Sequence, residues 1–178
     1  REITSTAGAT ESTNWATAGL TGQATGPRRR IVTTAVEHKA VLEPCRRLGH
    51  EGWDVVVLPV DGDGVVDVAA AAEAIDDHTL LVSVQAANNE VGTIQPVAAI
   101  AALAHARGAL IHCDAAQAVG KVAVDVTALD VDLLSASAHK LYGPKGIGVL
   151  CVRGGPRRLP LEPVSLGGGQ EAGLRPGT

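Results

Sequence analysis

Residues 132–153 read "DLLSASAHKLYGPKGIGVLCVR", two apolar runs separated by a Gly-Pro-Lys turn. The turn is too short to hold a helical crossover, so the second run is expected to return antiparallel to the first. Upstream, "RIVTTAV" (30–36), "DVVVLPV" (54–60), "LLVSVQA" (80–86) and "ALIHCDA" (109–115) are spaced widely enough for helices between them. Two of those spacers carry helix signals. "VDVAAAAEAI" offers Asp67 as N-cap, and "PVAAIAALAHARG" has Pro96 in its first turn and Gly108 as a stop. Apolar runs alternating with helical segments are the pattern of βαβ units. The expected fold is therefore α/β, a mostly parallel sheet flanked by helices with an antiparallel last strand. The opening "REITSTAGATE" reads as strand passing into loop, with a helix from Glu11.

At 178 residues the chain fits one domain with a real core. Its 15 basic and 19 acidic residues are interspersed and leave a net charge of -4, which argues against a nucleic-acid or anionic-membrane binder. The basic triplet Arg28-Arg29-Arg30 is expected to be a solvated loop before a strand. The longest charge-free runs, 12–27 and 91–106, are broken by Gly, Pro, Gln and Thr, so no membrane-spanning segment is expected. Cys45, Cys113 and Cys151 share no metal-ligand spacing and are odd in number, as in a reduced, cytoplasmic protein. The chain has no Met and begins on an Arg leading into a strand pattern, which reads as an internal piece of a longer polypeptide.

In open α/β sheets ligands bind beyond the carboxyl ends of the strands. Collecting the polar residues that follow each run gives His38, then Asn88, Asn89 and Glu90, then Asp114 and Gln117, then Ser137, His139 and Lys140. Lys140 is expected at the end of a buried strand, where a free ammonium is costly. An ion pair with Asp114 is the plain reading. The alternative is a Schiff-base lysine, which must offer a neutral amine, a form favoured by burial and by neighbouring positive charge such as His139 and Lys145. Pyridoxal phosphate chemistry needs such a lysine and an acid that keeps the pyridine nitrogen protonated, a role open to Asp114. "STAGATES" (5–12) puts Ala9 and Thr10 at a helix start, where backbone N-H groups can face a phosphate. His38 is either a surface or capping residue, or a ring-stacking group that moves protons. "GPKGIG" (143–148) lacks the Gly-Lys-Ser/Thr ending of a nucleotide loop, and no Gly-x-Gly-x-x-Gly follows the first strand.

With these residues in place, the chain resembles the cofactor-binding large domain of the cysteine desulfurases, the class V branch of fold-type I pyridoxal phosphate enzymes. The likeness rests on "AGATES", "EHKAV", "NNEVGTIQP", "HCDAAQAVGK", "SASAHKLYGPKGIGVLCVR" and "GGGQEAGLRPGT", in that order along the whole of 1–178. It implies that Lys140 forms the Schiff base, that Asp114 partners the pyridine nitrogen and that Gln117 bonds the ring oxygen. His38 would stack on the ring and act as acid and base. Ala9, Thr10, Ser137 and His139 would hold the phosphate, Asn89 would orient the substrate, and Thr178 would reach the phosphate of a neighbouring subunit in a homodimer.

The implied reaction converts L-cysteine to L-alanine and leaves sulfur as an enzyme persulfide, passed on to acceptors such as an iron-sulfur scaffold. In that family the nucleophilic cysteine and a carboxylate-binding arginine belong to a C-terminal small domain. Cys45, Cys113 and Cys151 do not stand in that position and are expected to be packing residues, so the chain alone is not expected to be a competent desulfurase. Another class V enzyme, an aminotransferase or selenocysteine lyase, is the alternative within the branch. A silent scaffold homologue would be expected to lack one of Lys140, Asp114 and His38, and all three are present.

Overall fold

The structure is a computed structural model that describes residues 2–155, 158–159, 161–163 and 165–177. Among them seven strands, β1 (Ile3–Thr6), β2 (Arg30–Thr34), β3 (Asp54–Leu58), β4 (Thr79–Gln85), β5 (Leu110–Asp114), β6 (Leu133–Ser137) and β7 (Gly148–Val152), form one sheet ordered β1-β7-β6-β5-β4-β2-β3. Strands β3, β2, β4, β5 and β6 pair parallel. The short turn after β6 does return the chain antiparallel, as its length requires, and β7 pairs antiparallel with both β6 and β1. Strand β1 thus runs with the parallel set. The helices are α1 (Ala9–Gln23), α2 (Lys39–His50), α3 (Val68–Ala74), α4 (Val97–Ala106) and the one-turn α5 (Val126–Leu129). None of them is long and apolar enough to cross a membrane.

The expected helix signals act as written. Asp67 accepts the Ala69 N-H at the start of α3, and Gly108 takes φ +67 just past α4, where a side chain would be strained. Two boundaries differ. Helix α1 begins at Ala9 rather than Glu11, because Gly8 breaks from the strand and the turn closes at once with Ser12 N-H to Gly8 O at 3.1 Å. Of the triplet Arg28–Arg30, Arg28 and the exposed Arg29 do lie in the loop before β2, but Arg30 is the strand's first residue and all three side chains are engaged. Strand register sets Arg30 opposite Asp54, so its guanidinium pairs with Asp54 and with Asp76, each at 2.6 Å. Arg28 donates to Thr79 O at 2.8 Å, and Arg29 lies 4.6 Å over the Trp53 ring.

Period-two alternation divides the sheet's residues between two faces. One face joins Val82, Val84, Ile111, Cys113 and Leu134 to Ile100, Ala101 and Ala104 of α4. The other packs Leu81, Leu133, Leu150 and Val152 under Trp15, Ala16 and Leu20 of α1. A satellite cluster of Ile31, Val41, Cys45, Leu48 and Trp53 seats α2. All three cysteines are unpaired, Cys45 and Cys113 buried and Cys151 half-buried.

The face beneath α1 also buries a polar chain. Ser83 Oγ meets His112 Nδ1 at 2.9 Å, His112 Nε2 meets Ser135 Oγ at 3.1 Å, and Ser135 Oγ meets Thr13 Oγ1 of α1 at 2.9 Å. Both ring nitrogens are satisfied, so the neutral ring is well housed, and burial pushes His112 down to about 4. Protonation below the unfolded-state pKa of about 6.5 therefore favours the unfolded chain. The unfolding free energy of the wild type minus that of His112→Gln should be largest above pH 6.5 and shrink as pH falls towards 4, by up to about 1.4 kcal/mol per pH unit. Urea unfolding across that range checks it, and a pH-independent difference would mean that His112 is not buried as a neutral ring.

Candidate active site

Because β1, β2, β4, β5 and β6 run the same way, their carboxyl ends share one edge, and a cavity of about 620 Å³ opens there. That is within the roughly 300–1,000 Å³ of small-molecule sites. Its lining includes Ala9 and Thr10 from the start of α1, His38 after β2, Asn89 after β4, Asp114 and Gln117 at and after β5, and Ser137, His139 and Lys140 at and after β6. Asn88 and Glu90, selected with Asn89, do not line it; Asn88 instead ties the loop, donating to Val36 O and accepting the Glu90 and Val91 N-H groups. Thr178 lies outside the described residues. Gln85, Glu11 and Lys145 line the cavity as well.

The α1 end of the cavity suits an anion. No side chain caps this helix at Gly8, so its first-turn N-H groups are left for a ligand. Thr6 Oγ1 and Ser12 Oγ, 2.7 Å apart, lock the preceding loop, and Ser12 Oγ also donates to Gly8 O at 3.2 Å. A Cβ on Gly148 would stand 2.4 Å from Gly8 Cα, so glycine is required for β7 to begin against this loop. Ser137 Oγ and His139 Nδ1 share a 2.7 Å hydrogen bond across from it. At the rim, Arg175 bonds both oxygens of Glu11 at 2.9 and 3.3 Å and holds that carboxyl below the usual carboxylate range. Its partners stand 164 positions apart, so no local pattern signals this tie.

The deep end is acidic. Asp114 is 7% exposed, accepts the Ala116 N-H on Oδ1 at 3.0 Å, and has its pKa raised by burial, partly offset by that hydrogen bond. Among the described residues Oδ2 makes no hydrogen bond. His38 caps α2, its Nδ1 accepting the Ala40 N-H at 3.0 Å. The neutral ring is thereby fixed with its proton on Nε2. Capping and cavity lining, which the sequence offered as alternatives, coexist at this residue.

Lys140 departs from expectation. Strand β6 ends at Ser137, and the lysine follows a 3₁₀ turn, Ala138–Lys140, with its side chain exposed at the cavity wall rather than buried. No ion pair joins it to Asp114. Gln117 Oε1 accepts from Lys121 Nζ at 2.7 Å, so that oxygen is engaged within the protein. The three cysteines lie outside the cavity lining. Burial raises Cys45 to about 12 and raises Cys113 and Cys151 as well, so none is a reactive thiolate. Among the described residues no group of three His, Cys, Asp or Glu side chains could hold a metal ion.

A family model described as aminotransferase class-V matches residues 1–175. A mitochondrial cysteine desulfurase of Drosophila melanogaster is 50% identical over 178 residues, all of this chain and 38% of that protein. The cysteine desulfurase IscS of Pseudomonas aeruginosa is also 50% identical over 178 residues, 44% of its length. Among solved structures, a NifS-like protein superposes with a TM-score of 0.94 at 45% identity, covering 99% of this chain and 48% of that one. A structure titled SspA in complex with cysteine gives a TM-score of 0.93 at 42% identity, covering 99% and 51%. The chain thus spans less than half the length of the curated relatives named here.

The double engagement of His38 is separable by substitution. His38→Ala should cost about 1 kcal/mol of stability through the lost cap, whereas His38→Asn, which caps well, should cost only a few tenths. Urea unfolding of the two variants measures this, and equal losses would show that the cap is not what the imidazole contributes to folding.

Proposed function

The chain belongs to the aminotransferase class-V family, and on that premise we propose that it is the pyridoxal-phosphate-binding large domain of a cysteine desulfurase. The observation that carries the reading is the convergence in one cavity of a lysine beyond β6 and a buried aspartate at the end of β5, beside an uncapped helix start. The donor set fits the cofactor's three needs: an amine for its aldehyde, a carboxylate for its ring nitrogen, and N-H and O-H donors for its phosphate. When bound, pyridoxal phosphate supplies an electron sink for the bonds broken at the substrate's carbons.

The chain's own groups supply the rest. Lys140, exposed to the cavity, would be the covalent anchor for the cofactor's aldehyde. Asp114 offers Oδ2 to the ring N-H, its Oδ1 being occupied by Ala116. His38 presents the Nε2 side of a ring held by its cap, which suits it to stack and to carry a proton. Ala9, Thr10, Ser137 and His139 would receive the phosphate, Asn89 would orient the substrate, and Gln117, whose Oε1 is held by Lys121, would donate from Nε2 to the ring oxygen. Thr178 is assigned to the phosphate of a second subunit, which makes the working unit a homodimer.

The substrate is L-cysteine and the products are L-alanine and a persulfide sulfur for acceptors such as an iron-sulfur scaffold. Names of relatives support this: two are cysteine desulfurases, and a solved neighbour was obtained with cysteine. The thiol that takes the sulfur is not Cys45, Cys113 or Cys151, all held protonated away from the cavity. Three unpaired cysteines favour a reducing compartment, the cytoplasm.

Borohydride reduction with pyridoxal phosphate followed by peptide mass spectrometry tests the anchor. The label should fall on Lys140, disappear in Lys140→Ala and persist in Lys145→Ala; a label on Lys145 would overturn the assignment. Asp114→Ala should weaken cofactor binding by about tenfold or more, as expected for loss of a charge-assisted bond, while Asp125→Ala, at the start of α5, should leave it unchanged. Equal effects would remove Asp114 from the ring nitrogen.

A further inference from the structure

Directly before His38 stands a carboxyl to which the sequence reading gave no role. Glu37 is buried, 5% exposed, at the end of the turn that follows β2. Its Oε1 accepts from Thr34 Oγ1 at 2.7 Å and from the Gln85 N-H at 2.9 Å, while its Oε2 is buried with no hydrogen-bond partner. Gln85 is the register partner of Asp114 on the next strand and itself lines the cavity. The same turn is gripped a second time, because Gln85 Nε2 and Asn88 Nδ2 both donate to Val36 O, at 2.6 and 2.9 Å. So the chain segment carrying His38 is tied to the end of β4 through Glu37 on one side and Val36 on the other.

From this geometry we infer that Glu37 is a positioning residue of the site, a carboxyl behind the cavity wall that fixes the turn presenting His38 and is held to Gln85, the register neighbour of Asp114. The inference rests on the reading of His38 and Asp114 as cofactor-contacting groups. Around Glu37 the titratable groups are Asp114 and Cys113 from β5, Cys45 from α2, and His38 next in the chain. Burial pushes Glu37 up to about 8, reinforced by the negative charge of Asp114. At neutral pH the carboxyl is therefore a neutral acid, and its bare Oε2 is the atom that carries the proton. Of this neighbouring pair of carboxyls, Asp114 is then the one free to carry the negative charge. Loss of the Glu37 proton in mildly alkaline solution sets a second charge beside it, and the two titrations become linked.

The ordinary alternative is a carboxyl that only fills space and closes two hydrogen bonds. It predicts a stability loss on mutation but no pH signature at Asp114. The two are separated in the cofactor-free protein by the ¹³Cγ resonance of Asp114, assigned through Asp114→Asn. The wild type should show a step in that resonance centred near pH 8, and Glu37→Gln, a neutral near-isostere, should abolish it. No step in the wild type, or the same step in the variant, would overturn the inference.

A second readout uses the protein mixed with pyridoxal phosphate. Glu37→Gln should capture cofactor at neutral pH within about twofold of wild type, while Glu37→Ala, leaving the Gln85 N-H and Thr34 hydroxyl unpaired, should bind about tenfold or more weakly. Wild-type affinity in Glu37→Ala would contradict the positioning role. Failure of the wild type to capture cofactor at all would instead sink the proposed function, since the Asp114 step is read without cofactor.

Discussion

Parallel strands joined by helical crossovers must all send their carboxyl ends to one edge, and the chemistry of this molecule depends on that constraint. Residues separated by more than a hundred positions, Thr10 and Lys140 among them, meet because each stands just past a strand running the same way. The reversed strand β7 serves the same end. By turning back immediately after β6 it closes the β6 edge of the cavity with the 141–147 turn and brings Lys145 and Gly146 into its wall. A helical crossover at this point would have carried those residues away.

The scaffold under the site combines two unlike solutions to burial. Below α4 the sheet is almost wholly apolar. Below α1 it buries a serine, histidine, serine and threonine chain whose groups satisfy one another. Buried polar groups cost free energy unless paired, but once paired they fix a single register more sharply than interchangeable methyl groups do. That specificity is placed under the helix whose first turn is left uncapped for an anion. The site inherits its precision from Thr13 on α1, held to Ser135 on β6, only two residues before Ser137.

Much of this was legible in the sequence, and for identifiable reasons. The apolar runs of β2 to β7 and the caps of α3 and α4 are local signals, set by period and by Asp67, Pro96 and Gly108, so they survive into the fold. The cavity residues were legible because strand-end position follows from the runs. What was not legible depends on side chains distant in sequence. Arg28 and Arg29 do form a loop before β2, but the partners of the triplet, Asp54, Asp76, Thr79 and Trp53, are brought to it only by the folded sheet. Lys140 looked buried because the apolar pattern runs up to it, but the 3₁₀ turn after Ser137 lifts it out. Glu37 read as an ordinary acid beside a histidine, and nothing in "VEHKAV" shows that its carboxyl is buried against the end of β4.

In the proposed function, the uncapped start of α1, with Thr10, Ser137 and His139, would receive the cofactor's phosphate. Titration calorimetry of the protein with pyridoxal phosphate and with pyridoxal, which lacks only the phosphate, tests it most directly. Several charge-assisted hydrogen bonds depend on that group, so pyridoxal phosphate should bind on the order of a hundredfold more tightly. Equal affinity for the two compounds would mean that the start of α1 does not receive the phosphate.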